Sequence, residues 1–158
     1  MAELCAGLRT NQCIEKIELS GIDLHDAEKM RSLAPFLSRN PSLKNIIFYS
    51  CNLGPDSINI LSNALLNRSE DTMERLNLTN NRFGDIDLDV LVLALSGSTK
   101  MTSLSLANNG IGQNGCTSLA RLLENQGSNL EKLFLGRNSI NDDSAVILTD
   151  SLATATPS

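Results

Sequence analysis

Aromatic and metal-ligating residues are scarce in this chain, and the scarcity argues against several kinds of site. Its 158 residues include no Trp, one Tyr, four Phe and a single His. The four cysteines (Cys5, Cys13, Cys51 and Cys116) show no C-x-x-C spacing, which argues against a zinc site. We therefore expect reduced thiols, no metal and no cofactor.

Sequence motifs of catalysis are also missing. The chain has no G-x-x-x-x-G-K-[ST] phosphate loop, no G-x-S-x-G and no H-E-x-x-H. Cys5 or Cys13 could form a nucleophile pair with His25 only if a turn brought them together, and their spacing does not favour this. We expect a protein that is not an enzyme.

Net charge and hydropathy limit which classes of partner and which cellular compartment the sequence favours. Thirteen basic against eighteen acidic residues give a net charge of −5, which argues against nucleic acid because that binding depends on neutralising phosphates. No apolar run approaches the roughly 20 residues of a membrane span, and the N-terminus lacks the apolar stretch of a signal peptide. The sequence predicts a protein of the cytosol or nucleus, with the cytoplasm favoured, that binds neither nucleic acid nor membrane.

A repeated segment dominates the chain. Five copies of the pattern L-x-x-L-x-L-x-x-N/C-x-L begin near residues 14, 43, 73, 101 and 130, at intervals of 28 to 30 residues. Within each copy apolar and polar residues alternate, which is typical of a short strand. We predict strands at 16–20, 45–49, 75–79, 103–107 and 132–136. Residues 1–158 are then one domain, with 1–13 as a partial leading repeat.

Leucine pairs four residues apart predict a helix after each strand, because i and i+4 share a helical face. The pairs are Leu33/Leu37, Leu61/Leu65, Leu91/Leu95, Leu119/Leu123 and Leu148/Leu152, and we expect each to pack onto the sheet. Acidic residues that open helices, where negative charge is favoured, are Asp56, Asp85, Asp142 and Asp143.

Two repeat positions predict residues that stabilise the turn between each strand and the following helix. Position nine is Asn81, Asn109 and Asn138 in the last three repeats, where an amide can satisfy buried backbone groups. Cys51 at this position is expected to be a packed thiol, and Ile22 marks a degenerate first repeat. Position twelve holds His25, Gly54, Gly84, Gly112 and Asn141, residues that tolerate positive φ or cap a helix start.

These strand-plus-helix repeats resemble the ribonuclease-inhibitor class of leucine-rich repeats over about residues 14 to 153. That class also includes the sensor arrays of nucleotide-binding innate-immune receptors and the Ran GTPase-activating protein. The resemblance implies a right-handed α/β solenoid in a horseshoe arc, with a concave parallel sheet and convex helices. It says little about the partner, because one fold hosts many functions.

The ends resemble interrupted repeats. Residues 1–11 look like the back half of a repeat, with Leu4 and Leu8 on one helical face, and the final Ala-Thr-Ala-Thr-Pro-Ser has no amphipathic cap. Terminal repeats normally carry a polar outer face. We therefore expect a piece of a longer array or a short member of such a family, with self-association through uncapped sheet edges.

The concave face is the predicted binding surface for a protein partner. Its candidate residues are Ile47, Tyr49, Arg75, Asn77, Ser105 and Phe134, because aromatic residues and Arg dominate binding hot spots; Arg82 and Arg137 flank the same face. The alternative is that single surface hydrophobics are ordinary. Other functions left open are a regulator of a small GTPase resembling the Ran GTPase-activating protein, and a structural segment of a larger innate-immune-type receptor.

Overall fold

Five strand–helix units follow one another in the computed structural model, which describes residues 7–8, 11–124 and 129–154. The strands are β1 (Lys16–Ser20), β2 (Asn45–Tyr49), β3 (Arg75–Asn77), β4 (Ser103–Ser105) and β5 (Lys132–Phe134). The helices are α1 (Ala27–Arg39), α2 (Pro55–Leu66), α3 (Asp85–Leu95), α4 (Gln113–Glu124) and α5 (Asp142–Thr154). One parallel sheet in the order β1 to β5 confirms the predicted α/β solenoid. Leu4, Cys5 and residues 155–158 lie outside the described residues.

The core is a ribbon of apolar side chains between the sheet and the helices. Position four of each repeat lies in register across the sheet, from Ile17 through Ile46, Leu76 and Leu104 to Leu133. All of these except the half-buried Leu133 are buried. Because strand side chains alternate between faces, the same register places positions three, five and seven on the concave side.

In the first four repeats the helical leucine pairs pack against the sheet and complete the core. Both leucines are buried in α1, α2, α3 and α4. In α5 the prediction holds for Leu148, which is half-buried against the core, and is wrong for Leu152, which is 55% exposed. Within the described residues α5 packs on α4 alone, so the side of the helix that a further repeat would cover stays open to solvent.

The last three strands end two residues earlier than the alternation predicts, because asparagine side chains occupy the backbone carbonyls there. The Leu78 carbonyl accepts hydrogen bonds from Asn81 Nδ2 (2.9 Å) and Asn109 Nδ2 (3.0 Å). The Leu106 carbonyl is bonded in the same way by Asn109 and Asn138, both at 3.0 Å. Ladder pairing reaches position seven only between β1 and β2, whose repeats carry Ile22 and Cys51 at position nine.

Positive backbone angles fall at position eight of every repeat and at Asn52, which is at position ten, but not at position twelve. Position eight has φ between 53° and 67° in every repeat, at Gly21, Ser50, Asn80, Asn108 and Arg137. At position twelve Gly54 (φ −111°) and Gly84 (φ −123°) are extended N-caps, and Asn141 Oδ1 accepts from the Ser144 N–H at 3.0 Å. The helix-capping role was therefore the right alternative. In the first repeat the N-cap is Asp26, one residue beyond His25, as the one-residue insertion requires.

The predicted acidic openings are confirmed. Asp56, Asp85 and the Asp142–Asp143 pair lie in the first turns of their helices, where the helix dipole favours negative charge. Across the described residues, no helix combines the length and the apolar character that a membrane crossing requires.

Candidate protein-binding face

The concave face consists of the outward side chains at positions three, five and seven of the five strands. Its central row is position five, whose members pair in register from strand to strand: Glu18, Ile47, Asn77, Ser105 and Phe134. Parallel strands lie about 4.8 Å apart, so this row forms a continuous line across the sheet.

The structure brings four of the six predicted site residues into that row. Ile47, Asn77, Ser105 and Phe134 share it, while Arg75 and Tyr49 lie beside it at positions three and seven. Tyr49 is 44% exposed and Phe134 is 51% exposed. Ile47 is half-buried, less open than the sequence suggested, because Glu18 and Asn77 flank it on both neighbouring strands.

Hydrogen bonds hold the centre of the face in place. The Asn77 Oδ1 accepts from the Thr79 N–H at 2.9 Å, and the Thr79 and Ser105 hydroxyl oxygens lie 2.7 Å apart across two strands. Thr79 was not among the predicted site residues, although its repeat position indicated that it faces outward. The polar centre is therefore pre-organised, which lowers the entropy cost of binding.

Position three makes one side of the face basic. Lys16, Arg75 and Lys132 are exposed there, and Lys16 Nζ is 2.6 Å from Glu18 Oε2. Within residues 11–124 and 129–154, neither Arg75 nor Lys132 takes part in an ion pair. Lys132 was not among the predicted site residues, although position three of its repeat indicated that it faces outward. The concave face thus has local positive charge on a chain whose net charge is −5.

A neighbouring column, position two, carries a lateral ion pair. Lys44 Nζ lies 3.0 Å from Glu15 Oε1, and this hydrogen bond, together with the charge of Glu15, raises the pKa of Lys44. Both side chains are well exposed, so the pair contributes little to stability.

Cys51 and His25, whose side chains could act as nucleophiles or metal ligands, pack against neighbouring repeats. The Cys51 thiol is buried and donates to the Leu19 carbonyl at 3.2 Å, and burial raises its pKa, the opposite of an activated thiol. A Cβ on Gly54 would meet His25 Nδ1 at 3.0 Å, so His25 packs on the next turn. In the described ranges no three His, Cys, Asp or Glu residues are grouped so that they could hold a metal ion.

Sequence comparison shows that the chain is similar to leucine-rich repeat proteins. A family model described as "Leucine Rich repeat" matches residues 72–92 and 97–120. The chain is 31% identical over 152 residues to NACHT, LRR and PYD domains-containing protein 5 of Mus musculus. It is 28% identical over 151 residues to the ribonuclease inhibitor of Sus scrofa. These alignments cover 94% and 95% of the chain but 13% and 32% of the relatives, so the chain spans a minor part of each.

Solved structures agree on the fold. The leiomodin-1 actin-binding site 2 superposes with a TM-score of 0.73 at 16% identity, covering 97% of this chain and 87% of that one. The tropomodulin C-terminal domain of Caenorhabditis elegans gives 0.77 at 12% identity, with coverages of 98% and 92%. Repeat period, register and relatives agree on a leucine-rich repeat solenoid that is similar to the ribonuclease-inhibitor-like class.

Proposed function

We propose that this protein is a non-enzymatic interaction module of the cytoplasm, which binds a protein partner on its concave face. The leucine-rich repeat relationship supports a protein-interaction module in general. The observation that carries the finer proposal is the position-five row, which displays Ile47 and Phe134 on a sheet whose other side packs on the core.

The geometry suits one partner that contacts two apolar anchors. Ile47 lies on β2 and Phe134 on β5, three strands away, which is roughly 14 Å at about 4.8 Å per strand. Tyr49 is two residues from Ile47 on the same strand. A standard interface takes about 800 Å² of each partner, so one protein surface can cover both anchors and the polar centre between them.

The charges of the face indicate the partner's chemistry. Arg75 and Lys132 are exposed beside the apolar anchors, and complementary charges steer association and select among partners. We therefore expect an acidic partner surface with apolar groups next to its carboxylates. Regulation of a small GTPase and a structural role within a larger receptor remain the alternative functions, and none of the concave contacts described above specifically favours either.

The experiment is affinity capture followed by measurement with single variants. Tyr49→Ala and Phe134→Ala should each weaken a captured partner by more than about 1 kcal/mol if they are hot spots. Neither should move the melting temperature appreciably, because both side chains are about half exposed. Raising the salt concentration should weaken the complex further if Arg75 and Lys132 meet acidic groups.

Matched controls lie at helix starts, away from the sheet. Asp56→Ala in α2 and Gln113→Ala in α4 alter exposed side chains of the convex half. If these controls weaken the complex while Tyr49→Ala and Phe134→Ala leave it intact, the concave proposal is refuted.

A further inference from the structure

Helix α3 exposes a line of large aliphatic side chains on the convex side of the solenoid. Ile86 is 84% exposed, Leu93 is 67% exposed, and Val90 between them is partly exposed. Their spacing of four and then three residues places all three on one helical face. The opposite face of α3 is buried through Leu88, Leu91, Val92 and Leu95, so α3 is apolar on both sides, a pattern typical of a covered helix.

The first and fourth helices have polar outer faces by comparison. Exposed residues on α1 include Glu28, Arg31 and Arg39, and those on α4 include Gln113, Asn114 and Arg121. Single exposed hydrophobics are ordinary on protein surfaces. Three in line on one helix are a contiguous patch, and such patches mark interaction sites.

Grooves run along both sides of this line. Between α3 and α4 the groove is lined by Ile86, Asp89, Val90 and Leu93 on one wall, and by Arg121, Leu122 and smaller polar residues of α4 on the other. Between α2 and α3 a second cleft contains Leu65, Leu66, Met73, Leu93 and Ala94. Leu93 is therefore a ridge between two grooves, and the 58% exposed Leu66 extends the apolar surface onto α2.

Acidic residues line both grooves, and the two basic residues that line them, Arg68 and Arg121, are already engaged. Helices α2 and α3 contain Asp56, Asp85, Asp87 and Asp89 and no Lys or Arg. Arg121 pairs with Asp89 at 3.5 Å. The Arg68 guanidinium faces inward, where it donates to the Leu37 and Leu43 carbonyls at 2.6 and 2.9 Å. Glu70 and Asp71 line the α2–α3 cleft.

We propose that the outward face of α3, with its two grooves, is a second docking site that binds an amphipathic helix whose apolar stripe is bordered by Lys or Arg. Apolar residues at i, i+3, i+4 and i+7 of such a helix fit alongside Ile86, Val90 and Leu93, as in other helix-in-groove complexes. Its basic borders then face the aspartates. A second copy of this chain is disfavoured because two equally acidic helices would oppose each other, and like charges are costly at an interface. This site lies on the face opposite the concave one and is independent of the proposed function.

The test uses the whole chain and a synthetic peptide of about 14 residues, with Leu at helical i, i+3, i+4 and i+7 spacing and Lys elsewhere. Titration followed by amide chemical shifts should show binding, with changes confined to α3 and the adjoining residues of α2 and α4. Leu93→Ser should weaken binding by at least about tenfold. Ile86→Ser, at the most exposed position, should do the same and provides a second variant should Leu93→Ser fail to fold.

The matched control is Leu152→Ser, the same type of change at a leucine of α5 that is 55% exposed. This variant should bind the peptide with the affinity of the unaltered chain. Two further peptides test the apolar stripe and the charge separately. One has the same composition in shuffled order, and the other has Glu in place of Lys. Neither should bind. Equal binding of the shuffled peptide, shift changes on the concave face, or unchanged affinity in both α3 variants would overturn the proposal. So would sedimentation showing that the free chain dimerises and that Leu93→Ser abolishes the dimer.

Discussion

Replacing Asn81 with Ala should remove one of the main polar connections between repeats. The Asn81 Oδ1 accepts from the backbone N–H groups of Cys51 and Leu53, both at 3.0 Å, in the preceding repeat. Its Nδ2 donates to the Phe48 carbonyl at 2.8 Å. Asn81 is 7% exposed, and Cys51 and Leu53 are fully buried, so water has no access to groups that lose this partner.

The expected loss follows from the two donors left without an acceptor. A buried group that loses its hydrogen-bond partner costs about 1–3 kcal/mol, so two orphaned N–H groups cost about 2–6 kcal/mol of the free energy of unfolding. The Leu78 carbonyl adds little, since it keeps its hydrogen bond from Asn109 Nδ2. The Phe48 carbonyl adds to the loss, because the amide that donates to it is removed. The whole stability of a domain this size is about 5–15 kcal/mol, so the effect should be large.

Urea denaturation followed by far-UV circular dichroism measures this loss. Asn63→Ala on the exposed face of α2 is the matched control, and it should change the free energy of unfolding by less than about 0.5 kcal/mol. Asn138→Ala is the graded comparison. Its Oδ1 accepts from the Asn109 and Ile111 N–H groups at 3.1 and 3.2 Å, but Asn138 is half-buried, so water can replace part of what is lost.

The loss in the free energy of unfolding should be largest for Asn81→Ala, smaller for Asn138→Ala and smallest for Asn63→Ala. If Asn81→Ala costs no more than Asn63→Ala, or less than Asn138→Ala, the position-nine amides are not what satisfies the buried turns. Should Asn81→Ala prevent folding altogether, the Asn138 and Asn63 variants still provide the comparison.

Other consequences can be checked with standard methods. Leu106→Ala should lower the free energy of unfolding by about 2–5 kcal/mol, because Leu106 is fully buried; a near-neutral result would contradict its core position. Alkylation of the folded chain should modify Cys13, which is exposed, and spare the buried Cys51 and Cys116 until urea is added. Burial raises the pKa of both buried thiols above their ordinary value of 9.0, so their contribution to stability is complete below pH 9 and declines as the pH rises above it. A stability that increases between pH 9 and 10.5 in the unaltered chain, relative to a Cys51→Ala variant, would contradict that sign. Within the described sheet β1 and β5 each pair on one side only, so light scattering should show association that grows with concentration.

Most of the fold could be predicted because the same spacing of apolar residues occurs in all five repeats. Period-two alternation placed Ile17, Ile46, Leu76 and Leu104 on the inner face, and the register confirms that column. Position nine indicated an amide that serves buried backbone groups, and Asn81 does so. Both features depend on local spacing; the inward column runs through all five repeats and the amide through the last three.

The candidate site was less predictable, because exposure depends on neighbours. Repeat position identified Tyr49 and Phe134 as outward residues, and both are about half exposed. It could not show that Ile47 is half-buried between Glu18 and Asn77, nor that Thr79 and Ser105 share a hydrogen bond. Those contacts join residues 26 to 30 positions apart in the chain, where only strand register brings them together.

The sequence by itself determined the repeat length, the inward columns and the strand–helix alternation, because these follow from local periodicity and from the burial that it demands. Only the tertiary structure decided where the strands end, since asparagine amides from adjacent repeats occupy carbonyls that the ladder would otherwise use. It also decided how much of the outward side of α3 stays uncovered. The repeat spacing marked Leu91 and Leu95 as inward, and both are buried. The segment DIDLDVLVLAL is apolar nearly all round, however, so its own pattern does not show that Leu93 stays exposed between α2 and α4.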